Sequence, residues 1–145
     1  MALVPTPVTL VTAPGDPEPA GATASAVASL SLEPPLMLVC LDHRSRTLGA
    51  LRAAGRFAVN VLSAESEAEA RTFATTVPHA EKWEGVPATE RSGVPVLDAA
   101  LVWVVCELRD LLDGGDHTIV TGAVVELGTG EGEPLLFVDG EYRSA

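Results

Sequence analysis

The chain is expected to be mainly β, with two or three short helices, in a barrel or sandwich of mixed type. Short apolar runs rich in Val and Leu recur along it, broken by Gly, Pro and Asp. Only two stretches keep a helical rhythm. The length of 145 residues fits one domain, 1–145, with its own core. Aromatic residues make up only 4% of the chain, so that core must be built from Val, Leu and Ala.

The elements follow in order. Val8 to Ala13 is the first strand, and Pro14-Gly15-Asp16-Pro17 turns the chain into a second, about Ala22 to Ala28. The second strand is made almost wholly of Ala, Ser and Thr, and it leads through Ser29-Leu30-Ser31 to Pro34-Pro35. Leu36 to Leu41 is continuously apolar and is expected to be buried on both faces. A helix is expected over Ser45 to Ala54, with Ser45 at its start and Gly55 just past its end. Phe57 to Leu62 is a fourth strand. Glu65 to Ala74 is a second helix, its first turn acidic as a helix N-terminus favours. Thr75 to Pro95 reads as a long loop. Leu101 to Leu112 and His117 to Leu127 form a hairpin around Asp113-Gly114-Gly115-Asp116, and Leu135 to Val138 pairs with Glu141 to Arg143 across Asp139-Gly140.

Charge and composition exclude several classes. The net charge of −11 argues against sequence-independent binding to nucleic acid or to anionic lipid, both of which need a positive field. No run of about 18 apolar residues is present, and Met1 to Pro5 carries no basic region of a secretory signal. Cys40 and Cys106 sit in apolar runs and are expected to be reduced core thiols, so the chain is expected to be cytoplasmic. There is no phosphate-loop motif and no nucleophile elbow. Gly128-Thr-Gly-Glu-Gly-Glu-Pro has the wrong spacing for a dinucleotide loop and reads as a turn. His43, His79 and His117 lack metal-ligand spacing.

Three segments could carry chemistry. The small-residue strand lets a flat ligand approach the backbone, or lets two sheets or subunits pack closely. Asp42-His43-Arg44-Ser45-Arg46-Thr47 joins a strand to a helix start. Its free amides, two hydroxyls and two arginines fit a phosphate, or Ser45 is a plain N-cap between solvated arginines. His117 opens a strand after a turn, as a ligand contact or as a surface residue.

Taken in order, the small-residue strand with Ser-Leu-Ser-Leu-Glu-Pro-Pro, then Leu-Val-Cys-Leu-Asp-x-x-Ser-x-Thr, Gly-Arg-Phe-Ala-Val-Asn-Val-Leu and Gly-Asp-His-Thr-Ile-x-x-Gly resemble the flavin reductase family. The resemblance runs from about Val8 to Arg143. It implies the FMN-binding split β-barrel, of Greek-key type. Thr23, Ala24, Ser25, Ser29, Leu30 and Ser31 match positions that contact the isoalloxazine and ribityl parts of the flavin. Ser45, Arg46 and Thr47 match the phosphate-binding turn, and His117 matches a histidine on the nicotinamide side. Phe57 to Leu62 matches a core strand near the flavin. Lys82-Trp83 resembles a Lys/Arg-Phe pair that can lie near the cofactor. Ser25 and Val27 stand where the family often has Asn and Phe, which leaves fewer side-chain amides for the ring.

The resemblance implies an NAD(P)H-dependent flavin oxidoreductase. It would move hydride from NADH or NADPH to FMN or FAD and supply reduced flavin to a partner flavin-dependent monooxygenase. A homodimer is implied as well. The alternatives are a flavin-binding protein without activity, and a split-barrel flavoprotein that holds FMN tightly and acts on another small molecule. The absence of a nucleophile or acid–base pair fits hydride transfer, in which the reacting atoms belong to the two nucleotides.

Overall fold

The computed structural model describes residues 3–144. Its main sheet is antiparallel and has seven strands. In chain order these are β2 (Thr9–Ala13, after a short β1 at Thr6–Pro7), β3 (Ala20–Ala24), β4 (Val27–Leu32), β5 (Pro35–Asp42), β6 (Arg56–Val61), β9 (Val102–Gly114) and β10 (His117–Thr129). A hairpin of β7 (Ala88–Arg91) and β8 (Val94–Leu97) precedes β9. The pair β11 (Leu135–Val138) and β12 (Glu141–Ser144) adds β1 to make a three-stranded sheet. Three short helices complete the chain: α1 (Arg46–Ala54), α2 (Glu67–Phe73) and α3 (His79–Lys82).

The strand order β3-β2-β6-β9-β10-β5-β4 puts β3 and β4 at opposite edges. Yet only Ser25 and Ala26 separate them in the chain. The sheet must therefore curl until its two edges nearly meet, and they meet without pairing into a closed barrel. This is the mainly β, open-barrel class that the sequence predicts. The backbone amide of Cys40 donates to Ala26 O at 2.9 Å, which pins the crossing segment onto β5.

The core is aliphatic as expected. Val11, Val39, Leu51, Phe57, Val59 and Val120 are fully buried inside the curl. A second cluster, with Leu10, Leu62, Phe73 and Leu135, lies between the sheet and α2. β2 and β6 are buried on both faces. Asn60 on β6 is buried, and it is satisfied: Nδ2 donates to Leu10 O at 3.0 Å and to Thr12 Oγ1 at 3.1 Å, and Oδ1 accepts from Leu97 N at 2.9 Å. The last of these bonds, with Thr12 Oγ1 donating to Pro95 O at 2.7 Å, fastens the β7–β8 hairpin to the sheet.

Several expectations are corrected. The small-residue strand is two strands, broken at Ser25–Ala26 where the chain changes edge. The first strand starts with a separate bridge, Thr6–Pro7, that pairs with β11. β5 buries Val39 and Leu41, but Leu38 and Cys40 on its other face stay partly open. Cys40 is thus half-buried while Cys106 is core, and both are free thiols. The second helix begins as a 3-10 turn at Ala64–Ser66. The long loop contains α3, β7 and β8, which Pro and Gly flanked without preventing. Gly128 and Thr129 extend β10 rather than turning.

Candidate functional site

A cleft of about 330 Å³ opens where edge strand β3 and the Ser25–Ala26 crossing meet the end of β5 and the start of α1. One wall is Ala22 to Ala26, another Cys40 to Asp42 with Arg44 to Thr47, and a third Phe73 to Thr76 with His79 and Lys82. His117 stands at the mouth. Residues nearly a hundred positions apart meet here through two local rules. Register sets His117 of β10 opposite Asp42 of β5, and the two-residue crossing brings β3 over the end of β5.

The first wall is flat because its side chains are small. Thr23 turns its hydroxyl away to donate to Ala70 O on α2, at 2.6 Å. Thr9 Oγ1 donates to Ala24 O at 2.7 Å from the neighbouring strand. Gly21 has a packing reason: a Cβ there would stand 2.6 Å from Phe73 Cε1.

The second wall is the start of α1. Ser45 is its N-cap, with Oγ accepting from Leu48 N at 3.3 Å, and Gly55 ends the helix in the left-handed region at φ 72°. The start of α1 lines the cleft, and its first-turn amides lack intrahelical acceptors, so the positive end of the helix dipole lies at this wall. Arg44 is tied back to Asp42, Nε at 3.2 Å from Oδ1 and Nη2 at 3.3 Å from Oδ2. Those hydrogen bonds hold the Asp42 carboxyl well below its ordinary range, at about 2. Arg46 reaches across the cleft, Nη2 donating to Val77 O at 2.7 Å.

The third wall carries two groups with depressed basicity. Burial pushes Lys82 down, with nearby Arg46 adding to it. Burial also pushes His79 down, with Lys82 and Arg46 beside it. Three cationic side chains, Arg44, Arg46 and Lys82, thus line the cleft of a chain whose net charge is −11. Asp42 is the one carboxylate lining it. The local field suits a small anion such as a phosphate.

His117 is half-exposed, and its Nδ1 lies 2.7 Å from Asp116 Oδ1. This pairing turns Nε2 to the opposite edge of the ring. His43 does not line the cleft. It holds the β9–β10 turn, Nδ1 lying 3.0 Å from Thr118 Oγ1 and Nε2 bonding Gly115 O.

The structure therefore brings together Thr23, Ala24, Ser25, Ser45, Arg46, Thr47 and His117. It leaves out Ser29, Leu30 and Ser31, which lie on edge strand β4. It also leaves out Phe57 to Leu62, whose strand lies inside the sheet. Sequence reasoning missed the contribution of Phe73 to Thr76 and His79. No motif marks them, since they enter by way of α2 and α3 packing. Among the described residues no group of His, Cys, Asp or Glu could hold a metal ion.

An open seven-stranded curl with a flat, cation-rimmed cleft at its split is the frame of a nucleotide-binding β protein. Residues 1–145 match the flavin reductase like domain, and the chain belongs to that family. It is 42% identical over 135 residues to the reductase component of a 4-nitrophenol 4-monooxygenase/4-nitrocatechol 2-monooxygenase from Rhodococcus opacus, covering 93% of this chain and 72% of that one. It is 47% identical over 130 residues to a flavin reductase (NADH) from Kitasatospora aureofaciens, covering 86% of this chain and 66% of the relative. Among solved structures it resembles nitrilotriacetate monooxygenase component B from Mycobacterium thermoresistibile, with a TM-score of 0.94 and 34% identity, over 99% of this chain and 82% of that one. The NADH:FAD oxidoreductase of Streptomyces globisporus, solved with NAD and FAD fragments, superimposes with a TM-score of 0.91 at 37% identity, over 98% of this chain and 86% of that one.

Proposed function

We propose that the protein is an NADH-dependent flavin reductase, an oxidoreductase that passes reduced flavin to a separate monooxygenase. The observation that carries this reading is the cleft itself. A flat small-residue wall, a helix start with flanking cations, and His117 converge on one opening. These residues fit a flavin nucleotide: the wall admits a planar ring, and the α1 N-terminus takes a phosphate. Relatives are named as NADH-dependent flavin and FAD reductases and as reductase components of monooxygenases, and this supports the choice of nucleotides and of partner.

When bound, the flavin and the nicotinamide supply the hydride chemistry. The chain's part is to bind, orient and exclude water. Ala22, Ala24 and Ser25 leave room beside the backbone for the ring, with Thr23 held against α2. Ser45, Arg46 and Thr47 hold the phosphate, fixing how deep the ring lies. Arg46 offsets negative charge gathered in the cleft during reduction. His117, held by Asp116, orients the nicotinamide at the mouth.

We assign Ser29, Leu30 and Ser31 to contact with a second copy of the chain. They are on the outer edge of the sheet beside Leu32, which is 84% exposed, so a homodimer is part of this reading. All of 1–145 acts as one domain, and we place it in the cytoplasm, where reduced nicotinamide is available. No helix among the described residues is long and apolar enough to cross a membrane.

The deciding measurement is NADH oxidation, followed by absorbance, with the protein and either FMN or FAD. Turnover that needs both nucleotides is expected. Flavin binding without oxidation of NADH or NADPH would leave a flavin-binding protein instead.

A further inference from the structure

Lys82 is the least expected group in the cleft. It is 4% exposed, and among the described residues no carboxylate lies within ion-pair distance of it. A buried ammonium without a counter-charge is costly, and the chain keeps it only where hydrogen bonds repay part of that cost. Nζ donates to Gly21 O at 3.0 Å and to Phe73 O at 3.3 Å.

Both acceptors are carbonyls that secondary structure leaves over. β3 is an edge strand, so the carbonyls on its outer side have no strand partner. Phe73 is the last residue of α2, and last-turn carbonyls lack intrahelical donors. The neighbouring residue repeats the pattern. Trp83 Nε1 donates to Pro19 O at 2.9 Å, one residue before β3 begins. Trp83 also packs edge-on against Phe73, with ring centroids 5.1 Å apart. Lys82 and Trp83 thus hold the start of β3, at Gly21 and at Pro19 just before it, and tie it to the end of α2.

These two tied segments run directly into two walls of the cleft, Ala22 to Ser25 and Ala74 to Thr76. We propose that Lys82 is a positioning residue that sets the separation of these walls and so the grip on the flavin ring. This rests on the flavin reductase reading. The action is geometric: Lys82 holds backbone, and the backbone holds the ring. It does not depend on contact between the ammonium and the ligand's phosphate.

The test compares FMN with riboflavin, which has the ring but no phosphate, by flavin fluorescence titration of the wild-type chain and of Lys82→Met. Both ligands are expected to lose affinity by about the same factor, on the order of tenfold, which corresponds to ~1.4 kcal/mol. A loss confined to FMN would make Lys82 a direct phosphate ligand and overturn the proposal, as would unchanged affinity for both. Should Lys82→Met fail to fold, Trp83→Phe decides, since it removes the tie at Pro19 and keeps an aromatic ring. A matched, smaller loss for both ligands supports the latch, and no loss for either overturns it. A wild-type chain that binds neither ligand would instead bring down the flavin reductase reading.

Discussion

At the scale of single residues, the cleft separates groups that touch ligand from groups that hold others in place. In the proposed function His117 belongs to the first kind. Replacement by Ala should raise KM for NADH severalfold and leave flavin affinity nearly intact, as separate steady-state and flavin-titration measurements would show. A change confined to flavin binding contradicts the role. Asp42 belongs to the second kind. Arg44 lowers its carboxyl from 3.8 to about 2 in the folded chain. A group with a depressed folded pKa binds its proton more readily when unfolded, so its stabilisation is present above the unfolded value and fades as pH falls toward about 2. Asp42→Asn should therefore flatten the acid limb of a stability-against-pH curve and leave the neutral region less changed. An identical acid limb in the variant, by denaturant melts across that range, would show that the pair contributes nothing.

At the scale of elements, the outcome depended on how local the signals were. The N-cap Ser45 and the αL Gly55 marked α1 to within a residue, because capping is a property of a few adjacent positions. The β11–β12 turn was legible for the same reason: Asp139 and Gly140 both take positive φ, 52° and 76°, as a tight primed turn requires. The break at Ser25–Ala26 was invisible, since Ala and Ser alternate through it without punctuation. α3, β7 and β8 were hidden because they are short and draw their stability from packing on Phe73, Asn60 and Thr12. Strand β10 carries a position of another kind. A Cβ on Gly122 would lie 2.6 Å from Cys106 Cβ and 2.6 Å from Phe57 Cζ. Gly122→Ala should destabilise by about 1–3 kcal/mol through overpacking of the curl. Urea denaturation checks this, and a midpoint equal to wild type would show that the strand shifts freely.

At the scale of the whole molecule, the unpaired edges govern what the chain can do. The unpaired edge at β3, where the chain crosses to β5 beside the start of α1, makes the cleft. The outer face of β4 leaves Leu30 and Leu32 exposed, 47% and 84%, on an unprotected edge that a second copy would cover. Light scattering after size exclusion should give twice the chain mass of 15.0 kDa, and Leu32→Asp should shift it toward one. A wild-type monomer at micromolar concentration would contradict the dimer and with it the assignment of Ser29, Leu30 and Ser31.

The β class, the aliphatic core, the helix that begins at Ser45 and, through four motifs in order, the family are legible from residue types and their spacing. Each of these depends on residue type at adjacent or regularly spaced positions. That His117 pairs with Asp42, that Lys82 is buried in the cleft wall and that Ser29 to Ser31 stand outside it emerge only in the folded chain. Those facts follow from strand register and from the curl that brings two distant sheet edges together. Pairing between distant segments leaves no local trace in composition, periodicity or spacing.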